Sequence, residues 1–460
     1  MSDLREKLFY EQKNGYDRID TAERLRLENY CRDYMAWLNE ARTEREAVSS
    51  AIALAEERGF VPYVPGMSLK AGDKVYQNNR GKALMLAVIG KKPLSEGCVI
   101  AGAHVDAPRL DLKQVTMYET DELCYFKTHY YGGIKKYQWV TIPLELHGVV
   151  ALKSGETVDV VIGRDPEDPR FVITDLLPHL AQDQMKKTLA EGITGEGLNI
   201  LIGSAPYADD GKDRVKLAVL SLLNDQYGIT EEDFLSAELV AVPAFDVSEI
   251  GLDRSLIGGY GHDDRVCAYA ELKAIFDVED PERSCVCILA DKEEIGSEGV
   301  TGMQSEAFDC FMADLCESQG TTLRRCFEKS FCLSADVTNA YDPNFPEVSE
   351  KRSESKVNYG MGICKFTGAR GKSGTSDASA EVVAYLRRLF EREGVVWQMA
   401  ELGKVDQGGG GTIAKFMAKR NIDTIDAGVP VLSMHAPFEV VGKFDCYMTY
   451  KGVLAAYADK

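Results

Sequence analysis

The sequence predicts an α/β fold, a central mixed sheet flanked by helices, with an inserted and mainly β domain. Three observations predict it. From Lys74 the chain breaks into short β-branched or apolar runs separated by Gly and Pro, namely KVYQN, KALMLAVIG and CVIAGAHVD. From residue 248 onward helical and buried-strand patterns alternate. Between them, residues 115–247 carry the alternating pattern of antiparallel strands, as in TIPLELHGVVAL and ETVDVVIG, with RDPEDPR as a loop. Residues 1–114 plus 248–460 are therefore expected to form one domain, interrupted by 115–247.

The elements follow in order. Ala22 to Asn39 has apolar residues at helical spacing, Thr43 and Glu46 form a capping box that opens a second helix, and Gly59 ends it. After the insertion, VCAYAELKAIF, FDCFMADLCESQ and ASAEVVAYLRRLF read as helices. CVCILAD, SFCLSADV and VPVLSMH read as buried strands.

Composition narrows the function classes. With 460 residues, 45% hydrophobic and 27% charged, the chain has the profile of a folded protein of two or more domains. A net charge of −20 repels nucleic acid and anionic membranes at long range, and no basic tract compensates. The twelve cysteines follow no repeated spacing, and the one close pair, Cys285 and Cys287, falls on a single strand face, so buried free thiols are expected. The N-terminal MSDLREKLFYEQ lacks an apolar signal-peptide core, and no uncharged run reaches the roughly 18 residues of a membrane span. These features lead to the expectation of a cytoplasmic protein.

Four apolar runs end in a residue able to bind metal: CVIAGAH at His104, CVCILADKEE at Glu293 and Glu294, FCLSAD at Asp336, and VPVLSMH at His435. A further pair, Asp263 and Asp264, stands directly before a helix. Open α/β sheets gather their ligands beyond the carboxyl ends of the strands, so these residues are expected to converge. Singly, a histidine at a strand end is more often a hydrogen-bonded core residue, and EE or DD pairs more often decorate solvated faces. Together they carry more weight, because Asp106 stands two residues after His104, where it can accept the imidazole N–H. Two imidazoles and three carboxylates suit Zn²⁺, and also Co²⁺ or Mn²⁺. Five ligands exceed what one open tetrahedral ion needs, which favours two divalent ions sharing a carboxylate and a water. Of Glu293 and Glu294, one can bind metal while the other faces that water as general base.

The strings AGAHVDAPRLDLK (101–113), DDRVCAY (263–269), DKEEIGS (291–297), SADVTNAYDPNF (334–345) and VPVLSMHAPFE (429–439) resemble the M18 (aspartyl aminopeptidase) family of co-catalytic zinc exopeptidases. The likeness extends through nearly the whole chain. It implies a zinc-exopeptidase-like fold and removal of N-terminal residues from short peptides. His104 and Asp336 would hold one ion, Glu294 and His435 the other, and Asp263 would bridge them. Glu293 would take a proton from the shared water as it attacks the scissile carbonyl, then pass it to the departing amine, and Asp106 would support His104. The resemblance further implies a cis peptide bond between Asp263 and Asp264. It makes the insertion a dimerisation domain and the assembly a homo-oligomer, a dodecamer built from dimers. In that assembly His179, within LLPHLA, is a candidate for contacting a neighbour's site. His129, His147 and His262 are expected to serve in surface or core hydrogen bonding. Around Asn339 to Asn344 and after His435, where Ala436, Pro437 and Phe438 follow, the chain departs from the family pattern, so the preferred N-terminal residue stays open.

The run Gln407 to Thr412 lacks the GK[ST] of a phosphate loop. It reads equally as a tight turn or as backbone lining a peptide cleft, with Gly410 and Gly411 as the candidate substrate-binding positions. The rival readings are an M42-type aminopeptidase, an M20-type carboxypeptidase or deacylase, and a catalytically silent scaffold. Glu293 beside Glu294 speaks against the scaffold.

Overall fold

The apolar runs around Ala87, Ile100, Ile288, Leu333 and Ile425 become neighbouring strands because each is buried on both faces between layers of helices. A computed structural model describes residues 3–460. Met1 and Ser2, the start of the stretch read for a signal peptide, lie outside the described residues.

The nine-stranded sheet has four parallel central strands in the spatial order Ser284–Ala290, Cys98–His104, Phe331–Ser334 and Asp423–Gly428. Antiparallel strands flank them, Ala83–Val88 on one side and Met361–Cys364 on the other, making the sheet mixed. Within Ser284–Ala290 the side chains alternate between two cores. Cys285, Cys287 and Leu289 face helices His262–Asp277 and Lys443–Ala458, while Val286, Ile288 and Ala290 face helices Ala307–Ser318 and Ala414–Lys419. The N-terminal helices Thr21–Glu40 and Glu44–Glu56 join the first of these cores, the second helix opened by the Thr43/Glu46 capping box. Strand Cys98–His104 lies between Ser284–Ala290 and Phe331–Ser334, so the chain leaves to both sides of it. Such a reversal opens a crevice at the carboxyl ends of the strands.

A second, six-stranded antiparallel sheet runs in the order Thr157–Ile162, Leu144–Ala151, Ala237–Pro243, Arg109–Thr120, Leu123–Tyr131 and Ile200–Gly203. It has its own core, around Leu110, Phe126, Trp139, Leu146 and Leu239. Its first strand starts at Arg109 rather than at 115, since RLDLKQVTMYET is one continuous strand leaving the first sheet directly after the HVDAP turn.

A third sheet escaped the sequence reading. It has five strands, including Leu256–Gly259, Glu439–Gly442 and Pro430–Leu432, and the last two form an antiparallel pair. The expected strand VPVLSMH therefore belongs here, and the corresponding position in the large sheet is filled by Asp423–Gly428. All twelve cysteines are free thiols; eleven are buried and Cys310 is exposed. Among the described residues no helix is long and apolar enough to cross a membrane.

Candidate active site

His104 is the last residue of its strand, and its imidazole points into the crevice. Its Nδ1 lies 3.0 Å from the backbone carbonyl of Asp106 and 3.3 Å from the Asp106 carboxylate. The nearer partner is thus the main chain of Asp106 rather than the side chain that the sequence suggested. Donation by Nδ1 leaves Nε2 as the free nitrogen, 3.2 Å from Asp263 Oδ1, 3.9 Å from Glu293 Oε2 and 4.0 Å from Asp336 Oδ1.

His435 mirrors this arrangement from the third sheet. It sits at the tip of the hairpin between Pro430–Leu432 and Glu439–Gly442, with a left-handed φ of 63°. Its Nδ1 donates to the carbonyl of Gly133 at 2.7 Å, leaving Nε2 3.2 Å from Asp263 Oδ2 and 3.6 Å from Glu294 Oε2. The two oxygens of Asp263 therefore each face one imidazole. Asp263 and Asp264 are joined by a cis peptide bond and have non-helical backbone angles before the regular helix begins. Asp264 Oδ2 accepts the backbone N–H of His104.

Glu293 and Glu294 were expected at a strand end but occupy a 3-10 turn, Glu293–Ile295. The strand stops at Ala290, and Lys292, with φ of 66°, turns the chain. The Asp106 carboxylate then accepts the N–H groups of both glutamates, at 3.1 and 3.2 Å. Asp106 thereby braces the turn more than it braces the imidazole.

The electrostatics describe a site short of positive charge. Burial, with Asp264 and Glu293 nearby, drives Asp336 well above the ordinary carboxylate range, and burial with Asp263 nearby does the same to Glu294. Burial pushes Glu293 up to about 7. Although burial opposes it, Asp263 and Glu294 hold the His435 imidazole up at about 10. Glu294 Oε1 is buried with no hydrogen-bond partner among the described residues. His104, Glu293 and Asp336 bring ligand atoms within 4.8 Å of one another, as do His104, Asp263 and Glu294. Mixed imidazole and carboxylate donors, crowded and under-neutralised, fit divalent zinc.

These groups open into a cleft of about 430 Å³, whose lining also includes Gly409, Gly410, Gly411, Thr412, Lys415 and Phe416. Gly410 and Gly411 are thus on the cleft surface. His179 is not brought there: it is exposed, in a turn of the second-sheet segment, and outside the cleft lining. His262 is a core residue bonded to the Tyr34 hydroxyl at 2.7 Å, and His147 is buried between Glu46 and Glu145.

Three contributors were missed in the sequence. Glu439 Oε2 and Oε1 accept the N–H groups of Asp263 and His435, Gly133 orients His435, and the Tyr131 hydroxyl donates to Asp106. The one available signal was Glu439 itself, a carboxylate opening the apolar strand EVVG four residues after His435.

Comparison with known proteins agrees with this chemistry. The family described as aminopeptidase I zinc metalloprotease (M18) matches residues 37–457. A probable M18 family aminopeptidase 1 from Clostridium acetobutylicum is 47% identical, covering 97% of this chain and 98% of its own. The crystal structure of an M18 family aminopeptidase from Thermotoga maritima superposes with a TM-score of 0.94 at 42% identity, covering 98% of this chain and 100% of that one. The S. cerevisiae mApe1 dodecamer, at 21% identity and a TM-score of 0.75 over 92% of this chain and 95% of that one, shares the fold. The chain belongs to the M18 family of zinc metalloproteases and is an aminopeptidase.

Proposed function

We propose that the cleft removes single residues from the N-termini of short peptides at a centre of two divalent ions. His104 and Asp336 would hold one ion and Glu294 and His435 the other, with Asp263 shared between them. The observation that carries this reading is the placement of Asp263, one oxygen 3.2 Å from each imidazole Nε2. When bound, the ions supply an acidified water and a Lewis acid for the scissile carbonyl. Glu293 would take the proton from the attacking water and deliver it to the departing amine. Burial sets Glu293 at about 7, and a nearby cation draws it down, so the base works between an ordinary carboxylate and neutrality. Asp106 holds the turn that presents Glu293, and Gly410 and Gly411 offer backbone to the bound peptide.

In this proposal the segment 115–247 is a dimerisation domain carried by the domain of 1–114 plus 248–460. The subunits form a homo-oligomer in the cytoplasm, a dodecamer built from dimers, with His179 facing a neighbour's site. Exposed Leu176, Leu177, Leu180 and Met185 around His179 support an interface role for this segment.

The experiment is hydrolysis of aminoacyl-p-nitroanilides and N-blocked peptides after chelator dialysis and re-addition of Zn²⁺, Co²⁺ or Mn²⁺. Activity restored by metal on free N-termini alone is the expected result, and it also reads out the side-chain preference. Cleavage of blocked substrates, or turnover untouched by the chelator, overturns the proposal. Light scattering on the eluted protein tests the assembly, where a dimer as the sole species removes the dodecamer.

A further inference from the structure

We infer that Glu439 is a positioning residue that sets the affinity of one ion of the pair, the one held by Glu294 and His435, more than the other. The inference rests on the dinuclear reading above. Glu439 opens strand Glu439–Gly442, pairs with Gly259 across the third sheet, and is 1% exposed. Both of its oxygens are committed to main-chain donors, Oε2 to the N–H of Asp263 at 3.0 Å and Oε1 to the N–H of His435 at 2.7 Å. A side chain that accepts two buried main-chain N–H groups at these distances holds both segments of backbone directionally.

What these bonds hold in place decides their effect. His435 lies at a hairpin tip where both it and Ser433 have left-handed backbone, with φ of 63° and 58°. Asp263 lies where the backbone departs from helix. Neither position lies in regular backbone, so the Glu439 carboxyl group holds the main chain of both, while Gly133 orients the His435 ring. The ion between Glu294 and His435 then depends on Glu439 through two ligands, His435 and Asp263. The ion between His104 and Asp336 depends on it through Asp263 alone. Asp106 supplies a second brace, through the N–H groups of Glu293 and Glu294.

The test is zinc titration of the full-length, chelator-stripped protein against a chromophoric chelator, for the wild type, Glu439→Gln and Glu439→Asp. Glutamine keeps the shape but offers one acceptor where two donors converge. Aspartate keeps the carboxyl group but is too short to reach both donors. Each variant is expected to bind one ion with an affinity near that of the wild type and the second about 10- to 100-fold more weakly. Circular dichroism establishes that the variants are folded, and Glu439→Asp keeps the test open if Glu439→Gln does not fold. Two ions bound as tightly as in the wild type, or both weakened alike, overturns the inference. A wild type that binds a single ion instead overturns the dinuclear reading beneath it.

Discussion

Tyr131, the last residue of strand Leu123–Tyr131, donates its hydroxyl hydrogen to Asp106 Oδ2 across 2.7 Å. The second sheet is thereby tied to the carboxylate that braces Glu293 and Glu294. Arg109 stacks on the Tyr131 ring at 4.0 Å and pairs with Glu44 at 3.0 Å, which anchors the phenol. A hydrogen bond to a charged group contributes about 1.5–3 kcal/mol. Tyr131→Phe is therefore expected to lower kcat by about 10-fold while KM stays within about two-fold, since the loss falls on the presentation of Glu293 rather than on peptide binding. Steady-state kinetics on a p-nitroanilide substrate reads this directly, and an unchanged kcat would show that the turn holds its shape without the phenol.

Glu293→Gln tests the proposed base apart from the proposed metal ligands. The amide cannot accept a proton from the attacking water, and general acid–base contributions amount to about 10²- to 10⁴-fold. Turnover is expected to fall by that factor while zinc content and circular dichroism match the wild type. Substantial residual turnover with full zinc would move the role of base to another group.

The meeting of His104 and Asp336 was legible in the sequence because each follows an apolar run that sets its depth. His104 ends a strand buried on both faces, and Asp336 follows another. The braces were less legible. Tyr131 and Gly133 lie on an inserted segment whose approach to the site depends on how two sheets dock, a contact with no local period to reveal it. Glu439 read as one carboxylate among 73 acidic residues until the hairpin brought it under Asp263. The turn at Glu293 was missed for a different reason. A left-handed Lys292 carries no sequence signature, because Gly or Asn would ordinarily mark that conformation. Length and patterning set the sheet, and side-chain to main-chain bonds of long sequence separation set the site.

Zinc loading should release protons. With their carboxylate neighbours, His104 is held well above the ordinary imidazole range and His435 at about 10. Both shifts favour the protonated imidazole in the stripped protein, whereas metal ligation requires neutral imidazole. About two protons are expected to leave as the site fills, and more if Glu294 or Asp336 is protonated beforehand. Isothermal titration calorimetry in buffers of differing ionisation enthalpy counts them, and a heat independent of buffer would refute the protonated imidazoles. Zinc affinity should rise with pH over the same range.

The seam between the second sheet and the N-terminal helices carries its own pH dependence. His147, in strand Leu144–Ala151, is buried with Nδ1 2.6 Å from Glu46 and Nε2 3.3 Å from Glu145, and Glu145 also meets Arg42 at 3.2 Å. Burial lowers the imidazole, but Glu145 and Glu46 more than offset it and bring it to about 9. The folded value lies above the unfolded one, so the stabilisation is complete below pH 6.5 and is lost as pH rises through about 9. The shift corresponds to about 3 kcal/mol, and the lowered Glu46 reflects the same contact and is not counted twice. His147→Gln is expected to lose stability at pH 6 by up to that amount, with the gap to wild type closing as pH climbs toward 9. Urea melts at pH 6, 7.5 and 9 test this, and a gap of constant size would mean that packing, not the charge on His147, holds the seam.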